Sequence, residues 1–215
     1  MKTARVLNFA LAAALVVVSG KLAVNSIGSK KQEAETKDEQ VAEKGGELKE
    51  FDITKELDCN PFTFFRGHGL LLCVGDKSGS NAMTIGWGAL GTNWGVPAVT
   101  VYVRKGRYTH QFMEKGRYFT VMKFADNKIV DYMGTHSGRD GDKAEALGLT
   151  LEYTKNGAPY YKEAEMVIEC RTMSASDFTM EELRDDTPRR IYTDGSDDGG
   201  LHTEYIGEVV GAMKR

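Results

Sequence analysis

Short apolar runs separated by turn residues are the feature that most limits the fold of this chain. Residues 68–76 read HGLLLCVGD, a run too short for a typical helix, and they lead into DKSGSN at 76–81. Asp, Ser, Gly and Asn are turn formers, so this stretch predicts two strands joined by a turn. Later runs are also rich in β-branched and aromatic residues. Strands are predicted at residues 68–76, 82–87, 98–103, 118–124, 165–173 and 204–210.

The predicted helices are short and lie between strands. They cover residues 108–115, 128–133 and 142–147. A doubly wound sheet needs strands and helices in regular alternation, and this order lacks it. The sequence therefore predicts a mainly β fold with short helices, built as a barrel.

The N-terminal segment has the pattern of an export signal. Lys2 and Arg5 precede an apolar stretch at residues 6–18, and small residues follow it. A basic start, a short apolar core and small residues are typical of a secretory signal, and the core is short for a membrane-spanning helix. An uncleaved signal anchor is the alternative. We therefore expect an exported protein, periplasmic or membrane-tethered on the extracytoplasmic side.

A charged tract separates this segment from the rest of the chain. Residues 29–50 mix acidic and basic side chains and contain almost nothing apolar. Such a tract cannot bury enough surface to offset the entropy lost on ordering, so it predicts a flexible tether. The predicted organisation is a signal peptide or anchor at 1–20, a tether at 21–50 and a folded domain at 51–215, with membrane contact only through the N-terminal segment.

Charge and cysteine content exclude two classes of protein. The net charge is −3, whereas a nucleic-acid partner needs clustered basic charge. Cys59, Cys73 and Cys170 are too few and too scattered for a disulfide scaffold. Cys73 and Cys170 lie in predicted strands, which predicts small buried apolar residues, with one disulfide as the alternative in an oxidising compartment.

One familiar motif occurs in the wrong context. Residues 86–91 spell GWGALG, which matches GxGxxG. That motif binds a pyrophosphate where a strand leads directly into a helix, but here the chain continues to another predicted strand. The four histidines lie far apart without a partner at ligand spacing, so no metal site is predicted. No GxSxG is present, which argues against a serine hydrolase.

Polar and cationic residues lie beside the predicted strand ends and helix starts. Residues 134–140, GTHSGRD, are glycine-rich, so their backbone amides could face an anion while Arg139 or Lys143 supplies charge. The alternative is a turn followed by a helix N-cap. The polar set comprises Asn81, Thr84, Thr109, Ser137, Arg139 and Lys143.

Four blocks in order carry a resemblance to a known family. They are NAMTIGW at 81–87, VRKGRYTH at 103–110, GTHSGRDGDK at 134–143 and LHTEYIGE at 201–208. With these blocks the chain resembles the flavin reductase-like family of FMN-binding split β-barrels, which includes flavoredoxin. The resemblance covers roughly residues 58–212.

The resemblance implies an FMN site and a role for each matching residue. Asn81 and Thr84 would hydrogen-bond the flavin ring edge or ribityl chain, and Trp87 would lie against the cofactor, with a core aromatic as the alternative. Thr109 would meet the ribityl-phosphate end, and His202 would approach the flavin ring or a nicotinamide, with a strand-start histidine as the alternative. Arg139 and Lys143 would neutralise the phosphate. The implied cofactor-binding residues are Asn81, Ala82, Met83, Thr84, Trp87, Arg104, Thr109, Ser137, Gly138, Arg139, Lys143 and His202.

The implied activity is an NAD(P)H-dependent flavin or FMN oxidoreductase that needs no catalytic side-chain acid or base. The alternative is a flavoredoxin-type electron carrier reduced by a partner redox protein. The resemblance also implies a homodimer and a small-molecule or protein electron donor and acceptor. Two departures stand out: the acidic stretch at 185–200 is expected to form a loop longer than the family needs, and a C-terminal segment that covers the flavin is expected to be shortened.

Overall fold

The computed structural model describes residues 46–193 and 200–215. The predicted signal at 1–20 and nearly all of the predicted tether at 21–50 lie outside these ranges. Residues Glu47–Arg215 form one compact unit. Within the described residues, no helix combines the length and hydropathy that a membrane span requires.

Ten strands account for most of the described secondary structure. Their bounds are β1 Lys49–Glu50, β2 Leu70–Asp76, β3 Gly79–Ile85, β4 Gly88–Asn93, β5 Val96–Arg104, β6 Tyr118–Lys123, β7 Leu151–Tyr153, β8 Pro159–Tyr161, β9 Met166–Asp177 and β10 His202–Lys214.

One antiparallel sheet holds eight of these strands. Its order is β3-β2-β6-β9-β10-β5-β4, and β1 pairs with the far end of β10. The thirteen-residue β10 is the centre, because it pairs with β9 over nearly its whole length and with β5 over residues 202–208. No described ladder joins β3 to β4, so the sheet is split between these edges. Strands β7 and β8 form a separate hairpin.

The continuous apolar run of β2 reflects burial on both faces of the sheet. Leu70, Leu72 and Val74 pack in one apolar cluster, whereas Leu71 and Cys73 pack in another. Successive side chains of a strand point to opposite faces, so a strand covered on both sides needs apolar residues at every position. The first cluster is formed mainly by residues of the main sheet. The second also contains Val130 and Ala144, which lie in helices, and Tyr161 of β8.

Five short helices connect the strands. They are α1 Ile53–Glu56, α2 His110–Met113, α3 Asn127–Thr135, α4 Lys143–Ala146 and α5 Asp186–Thr193. Aspartates start α3 and α4, since the Asp126 carboxylate accepts from the amide of Lys128 and the Asp142 carboxylate accepts from those of Ala144 and Glu145.

The structure confirms the mainly β prediction, with shifted ends. Each predicted strand and helix overlaps an observed one, and the GxGxxG match at 86–91 leads into β4 and then β5, not into a helix. The sequence pattern missed the two-residue β1, the glycine-rich β4, both strands of the β7–β8 hairpin and α1. The expected loop at 185–200 is corrected in part, because residues 186–193 form α5; residues 194–199 lie outside the described ranges.

Candidate functional site

A cleft of about 500 Å³ lies where four separated segments meet. It is bordered by β3 with the two residues after it, the end of β5 with the turn after it, the segment from the end of α3 to Lys143, and the start of β10. Eleven of the twelve residues that the resemblance implicates line it: Asn81, Met83, Thr84, Trp87, Arg104, Thr109, Ser137, Gly138, Arg139, Lys143 and His202.

Asn81 joins three of these segments. Its Nδ2 donates a 2.7 Å hydrogen bond to Oγ1 of Thr109, and both residues are buried. Gly138 lies directly against the other side of this amide: a Cβ at position 138 would be 2.0 Å from Oδ1 of Asn81 and 2.9 Å from the Tyr108 ring. Only glycine permits this approach, so the loop after α3 is held against β3.

Thr84 anchors the other end of β3 to α3. Its hydroxyl donates a 2.5 Å hydrogen bond to the carbonyl oxygen of Val130. Gly134, in the last turn of α3, lies so close that a Cβ there would be 3.1 Å from the Thr84 side chain. The Thr84 hydroxyl proton is therefore already committed, and a ligand can use only its oxygen as an acceptor.

Ala82 is the implicated residue that the structure places outside the cleft. Because β3 alternates its faces, the Ala82 methyl packs in the second apolar cluster and is almost fully buried. Its contribution is its carbonyl oxygen, which accepts a 2.7 Å hydrogen bond from Nζ of Lys143. The same ammonium group donates to the carbonyl oxygen of Met133 at 3.1 Å.

Lys143 therefore links β3 to α3 through these two hydrogen bonds. Its side chain is buried, and burial lowers the pKa of its ammonium group from the ordinary value. Its two carbonyl partners take up most of its donor capacity. Direct pairing of Lys143 with a phosphate stays a prediction.

Arg139 lies over the mouth of the cleft. Its guanidinium group donates from Nη1 and Nη2 to the carbonyl oxygen of Gly106, each at 3.3 Å, and its Cζ lies 5.2 Å from the centre of the Tyr108 ring. Ser137 and Asp140 close a turn, since the amide of Asp140 donates to the Ser137 carbonyl oxygen. The alternative prediction of a turn before a helix N-cap is thus observed, with the cap at Asp142. A turn of this kind still leaves the Arg139 charge beside the cleft.

The opposite end of the cleft is aromatic. The rings of Trp87 and His202 lie 4.8 Å apart, and Nδ1 of His202 is 2.7 Å from the hydroxyl of Tyr192 on α5. Arg104 holds the same helix: its Cζ lies 5.5 Å from the Tyr192 ring centre and its Nη2 donates to the Ile191 carbonyl oxygen at 3.5 Å. Trp87 is partly exposed, so it is a wall of the cleft and not a core residue.

The cleft concentrates positive charge. Arg104, Arg107, Arg139 and Lys143 line it, whereas no Asp or Glu does so among the described residues. This contrasts with the net charge of −3 for the whole chain. Clustered cations that lack nearby carboxylates create a local field that favours an anionic ligand.

Sequence reasoning did not single out several residues at this site, among them Arg107, His136, Tyr102 and Tyr192. Arg107 and His136 lie within the quoted sequence blocks, so their positions were available, but no single-residue signal marked them. Tyr102 lies on a predicted strand; burial, with the nearby Glu204, raises the pKa of its phenol to about 12, which keeps the group neutral. Tyr192 lies in the stretch that was expected to be a loop.

Among the residues that the structure describes, no three His, Cys, Asp or Glu side chains cluster closely enough to hold a metal ion.

Residues 64–215 match the model of the family described as flavin reductase like domain. The chain belongs to the flavin reductase-like domain family. The cleft lies entirely within the matched residues of this flavin reductase-like chain.

Solved structures of other proteins share the fold of this chain. Flavoredoxin from Methanosarcina acetivorans is 23% identical, with a TM-score of 0.52 over 68% of this chain and 67% of that one. An FMN-binding domain of a flavin reductases-like enzyme from Shewanella baltica is 18% identical, with a TM-score of 0.55 over 79% and 78%. Flavoredoxin of Desulfovibrio vulgaris is 23% identical, with a TM-score of 0.52 over 68% of each chain. At these identities the likeness shows the fold, which is the predicted split barrel. Among curated proteins, none matches the chain.

Proposed function

We propose that the cleft binds FMN and that the protein is an NAD(P)H-dependent flavin or FMN oxidoreductase, which passes electrons to a flavin or another acceptor. One observation carries this proposal: four cationic side chains and no described carboxylate line a cleft with an aromatic wall. FMN has the matching form, an anionic phosphate at one end and a planar aromatic ring at the other. Membership of the flavin reductase-like family supports the same ligand.

The residues present fit this cofactor. The volume of about 500 Å³ lies within the range of small-molecule sites. Ser137, Gly138 and Arg139 would meet the phosphate, because backbone amides and a guanidinium group are strong donors to anionic oxygens. Trp87 and His202 would wall the ring end.

When bound, FMN supplies the electron-transfer chemistry, and the chain supplies position and charge. Asn81 is fixed by Thr109 and Gly138, so its amide is oriented before a ligand arrives. Arg139 and Arg107 would offset the charge of the phosphate. The Tyr192–His202–Trp87 contacts would exclude water from the ring end. None of these tasks requires a side chain that takes a proton from the substrate or gives one to it.

A second candidate is an electron carrier that receives electrons from a partner redox protein and does not use a nicotinamide. The N-terminal sequence favours this reading, because its signal-like pattern predicts export and free NAD(P)H is scarce outside the cytoplasm. Two of the structures with similar folds are named flavoredoxins.

We also propose that the protein is a homodimer, and that it is exported and joined to the membrane only through its N-terminal segment. Sedimentation tests the dimer, and cell fractionation tests the location.

An absorption spectrum of the purified protein, followed by anaerobic mixing with NADH and NADPH, separates the candidates. Rapid bleaching of a bound flavin is the result expected for the oxidoreductase. A flavin that dithionite reduces but neither nucleotide bleaches would favour the carrier. A colourless protein that does not take up added FMN would overturn both.

Paired arginine variants locate the site. Arg139→Gln should weaken FMN binding by about tenfold, because it removes a charge-assisted contact to phosphate. Arg117→Gln is the matched control, since Arg117 also lies over a tyrosine, 5.8 Å from the Tyr118 ring centre, but outside the cleft. Equal FMN affinity in the two variants would show that the phosphate lies elsewhere.

A further inference from the structure

A second cleft adjoins the first and has different chemistry. It measures about 440 Å³ and shares Gly86, Trp87 and Tyr102 with the proposed flavin cleft. Of the nine residues that line it, five are aromatic and one is an arginine: Phe62, Phe65, Trp87, Tyr102, Phe178 and Arg66. We propose that this aromatic cleft binds a small planar aromatic carboxylate.

Contacts hold four of the five aromatic side chains in place without a ligand, whereas Phe62 is largely exposed. Phe65 is buried at the base, and Gly88 leaves space for its ring, since a Cβ at position 88 would be 2.4 Å from Cε1 of Phe65. The rings of Tyr102 and Phe178 pack with centres 5.6 Å apart. Trp87 is held from the far side by His202. Walls that are fixed before binding favour a flat ligand, which meets aromatic faces and edges at low entropic cost.

Arg66 supplies the charge that selects a carboxylate. Its side chain is exposed at the cleft and makes no hydrogen bond or ion pair with a described residue. The hydroxyl of Tyr102, by contrast, already donates to Oε1 of Glu204. A guanidinium group binds a carboxylate through two parallel hydrogen bonds, so an aromatic ring between the walls would place its acid group on Arg66.

The charge of the cleft favours this ligand over a second copy of the chain. Aromatic residues and arginine are common in protein interfaces, so the aromatic walls alone suit either occupant. Arg66, with no carboxylate among the described lining residues, matches a small anion that brings its own counter-charge. A dimer that covers the cleft is one outcome of the test below.

The aromatic cleft lies directly beside the proposed flavin cleft. Trp87, Gly86 and Tyr102 form the wall that separates the two volumes. A ring in the aromatic cleft would therefore lie next to the flavin, where a substrate or acceptor belongs. Only this last step rests on the proposed function; binding of the carboxylate does not.

Fluorine NMR of 4-fluorobenzoate with the full-length protein, as purified and after addition of FMN, measures the binding directly. Benzoate should displace the probe, whereas cyclohexanecarboxylate, which has the same charge but is not planar, should displace it about tenfold less well. Neutral 4-fluorobenzamide should bind weakly and independently of Arg66. Equal displacement by benzoate and cyclohexanecarboxylate would overturn the aromatic part of the inference.

Charge variants test the arginine. Arg66→Gln should weaken 4-fluorobenzoate binding by about fivefold to tenfold, a factor reduced by screening at an exposed site, and should leave 4-fluorobenzamide unchanged. Arg66→Lys should restore part of the loss, and Arg117→Gln should have no effect. An unchanged affinity in Arg66→Gln would overturn the inference, as would a protein that sediments as a dimer and binds no probe.

The same samples separate this inference from the proposed function. FMN is titrated into the wild-type protein and the Arg66→Gln variant in parallel, and its affinity should be equal in both. Failure of FMN to bind while 4-fluorobenzoate still binds refutes the flavin proposal alone. Normal FMN binding without probe binding refutes the aromatic carboxylate alone.

Discussion

The hydroxyl of Tyr192 lies 2.7 Å from Nδ1 of His202 and so ties α5 to the first residue of β10. His202 is buried at the aromatic end of the cleft, where it also lies against the ring of Trp87. A hydrogen bond to one ring nitrogen of a histidine fixes which nitrogen carries the proton. It therefore also fixes whether the other nitrogen donates or accepts a hydrogen bond. Tyr192 thus positions His202, although it belongs to a stretch that the sequence pattern predicts as a loop.

Tyr192→Phe should lower the free energy of unfolding by about 1 kcal/mol, the usual net value of one hydrogen bond. It should also change the imidazole nitrogen shifts of His202 while leaving those of the other three histidines in place. Chemical denaturation and nitrogen-detected NMR measure the two effects. Tyr132→Phe is the control, because its ring stacks on His136 with centres 3.8 Å apart while its hydroxyl has no hydrogen-bond partner among the described residues. Unchanged His202 shifts in Tyr192→Phe would contradict the positioning role.

Gly138→Ala should disrupt the cleft from the loop side. The added Cβ would be 2.0 Å from Oδ1 of Asn81, so either the loop or the Asn81–Thr109 hydrogen bond must move. Overpacking of this kind costs about 1–3 kcal/mol of stability, and we expect a loss of FMN affinity of at least about tenfold.

Gly91→Ala is the matched control for this substitution. A Cβ at Gly91 meets nothing within 4 Å, and its backbone is not in a glycine-only conformation. Its melting temperature and FMN affinity should stay close to those of the wild-type protein. If Gly138→Ala matched Gly91→Ala in both measurements, the close packing of position 138 against Asn81 would not matter for the site.

The sequence predicts the strands of this fold well where burial leaves a pattern. The uninterrupted apolar run of β2 arises because both of its faces are covered, and the β-branched run of β5 follows from the same cause. By contrast, β4 reads GALGTN and has weak strand propensity; its pairing with β5 forms it. Tertiary contacts, not local preference, decide such an edge strand.

The candidate site shows the same division. Eleven of the twelve residues that the family blocks implicate line one cleft. The blocks do not show whether a residue acts through its side chain or through its backbone. Ala82 contributes a carbonyl oxygen, and Lys143 uses its ammonium group to bind that oxygen. Tyr192 lies outside every block, so nothing local marks it. Its role depends on where α5 packs, which only the folded chain specifies.

Stability should fall in acid through Asp177. Hydrogen bonds from Lys105, at 2.5 Å, and from the hydroxyl of Thr203, at 2.6 Å, hold the pKa of this carboxyl below its ordinary value of 3.8. A carboxyl whose pKa is lower in the folded than in the unfolded state stabilises the fold above the unfolded value and loses that effect as pH falls through the folded value.

Asp177→Asn should therefore lower the free energy of unfolding by about 0.5 kcal/mol at pH 7, since the ion pair is half-exposed. The difference from the wild-type protein should shrink as pH falls from about 4 towards 2. Urea denaturation across this range measures it. Glu165→Gln, in a looser pair with Lys123 at 3.7 Å, is the control and should have a smaller effect at pH 7. A difference that grew in acid would contradict the assigned sign.

The three thiols should divide into one accessible and two inaccessible groups. Cys73 and Cys170 are completely buried, one in each apolar cluster, as their positions in strands predict. Burial raises the pKa of the Cys73 thiol to about 12 and also raises that of Cys170, so neither forms a thiolate at neutral pH. Cys59 is partly exposed; partial burial and the nearby Asp58 raise its pKa, which should slow but not prevent its reaction.

With Ellman's reagent at pH 8, the folded protein should release one equivalent of thiol slowly, and all three in guanidinium chloride. Cys59→Ser should reduce the count in the folded protein to zero and the count in guanidinium chloride to two. A second equivalent that appeared faster than global unfolding would show that one apolar cluster opens locally. Because Cys73 pairs with Ala82 across β2 and β3, early reaction of Cys73 would place that opening at the strand that carries Asn81 and Thr84.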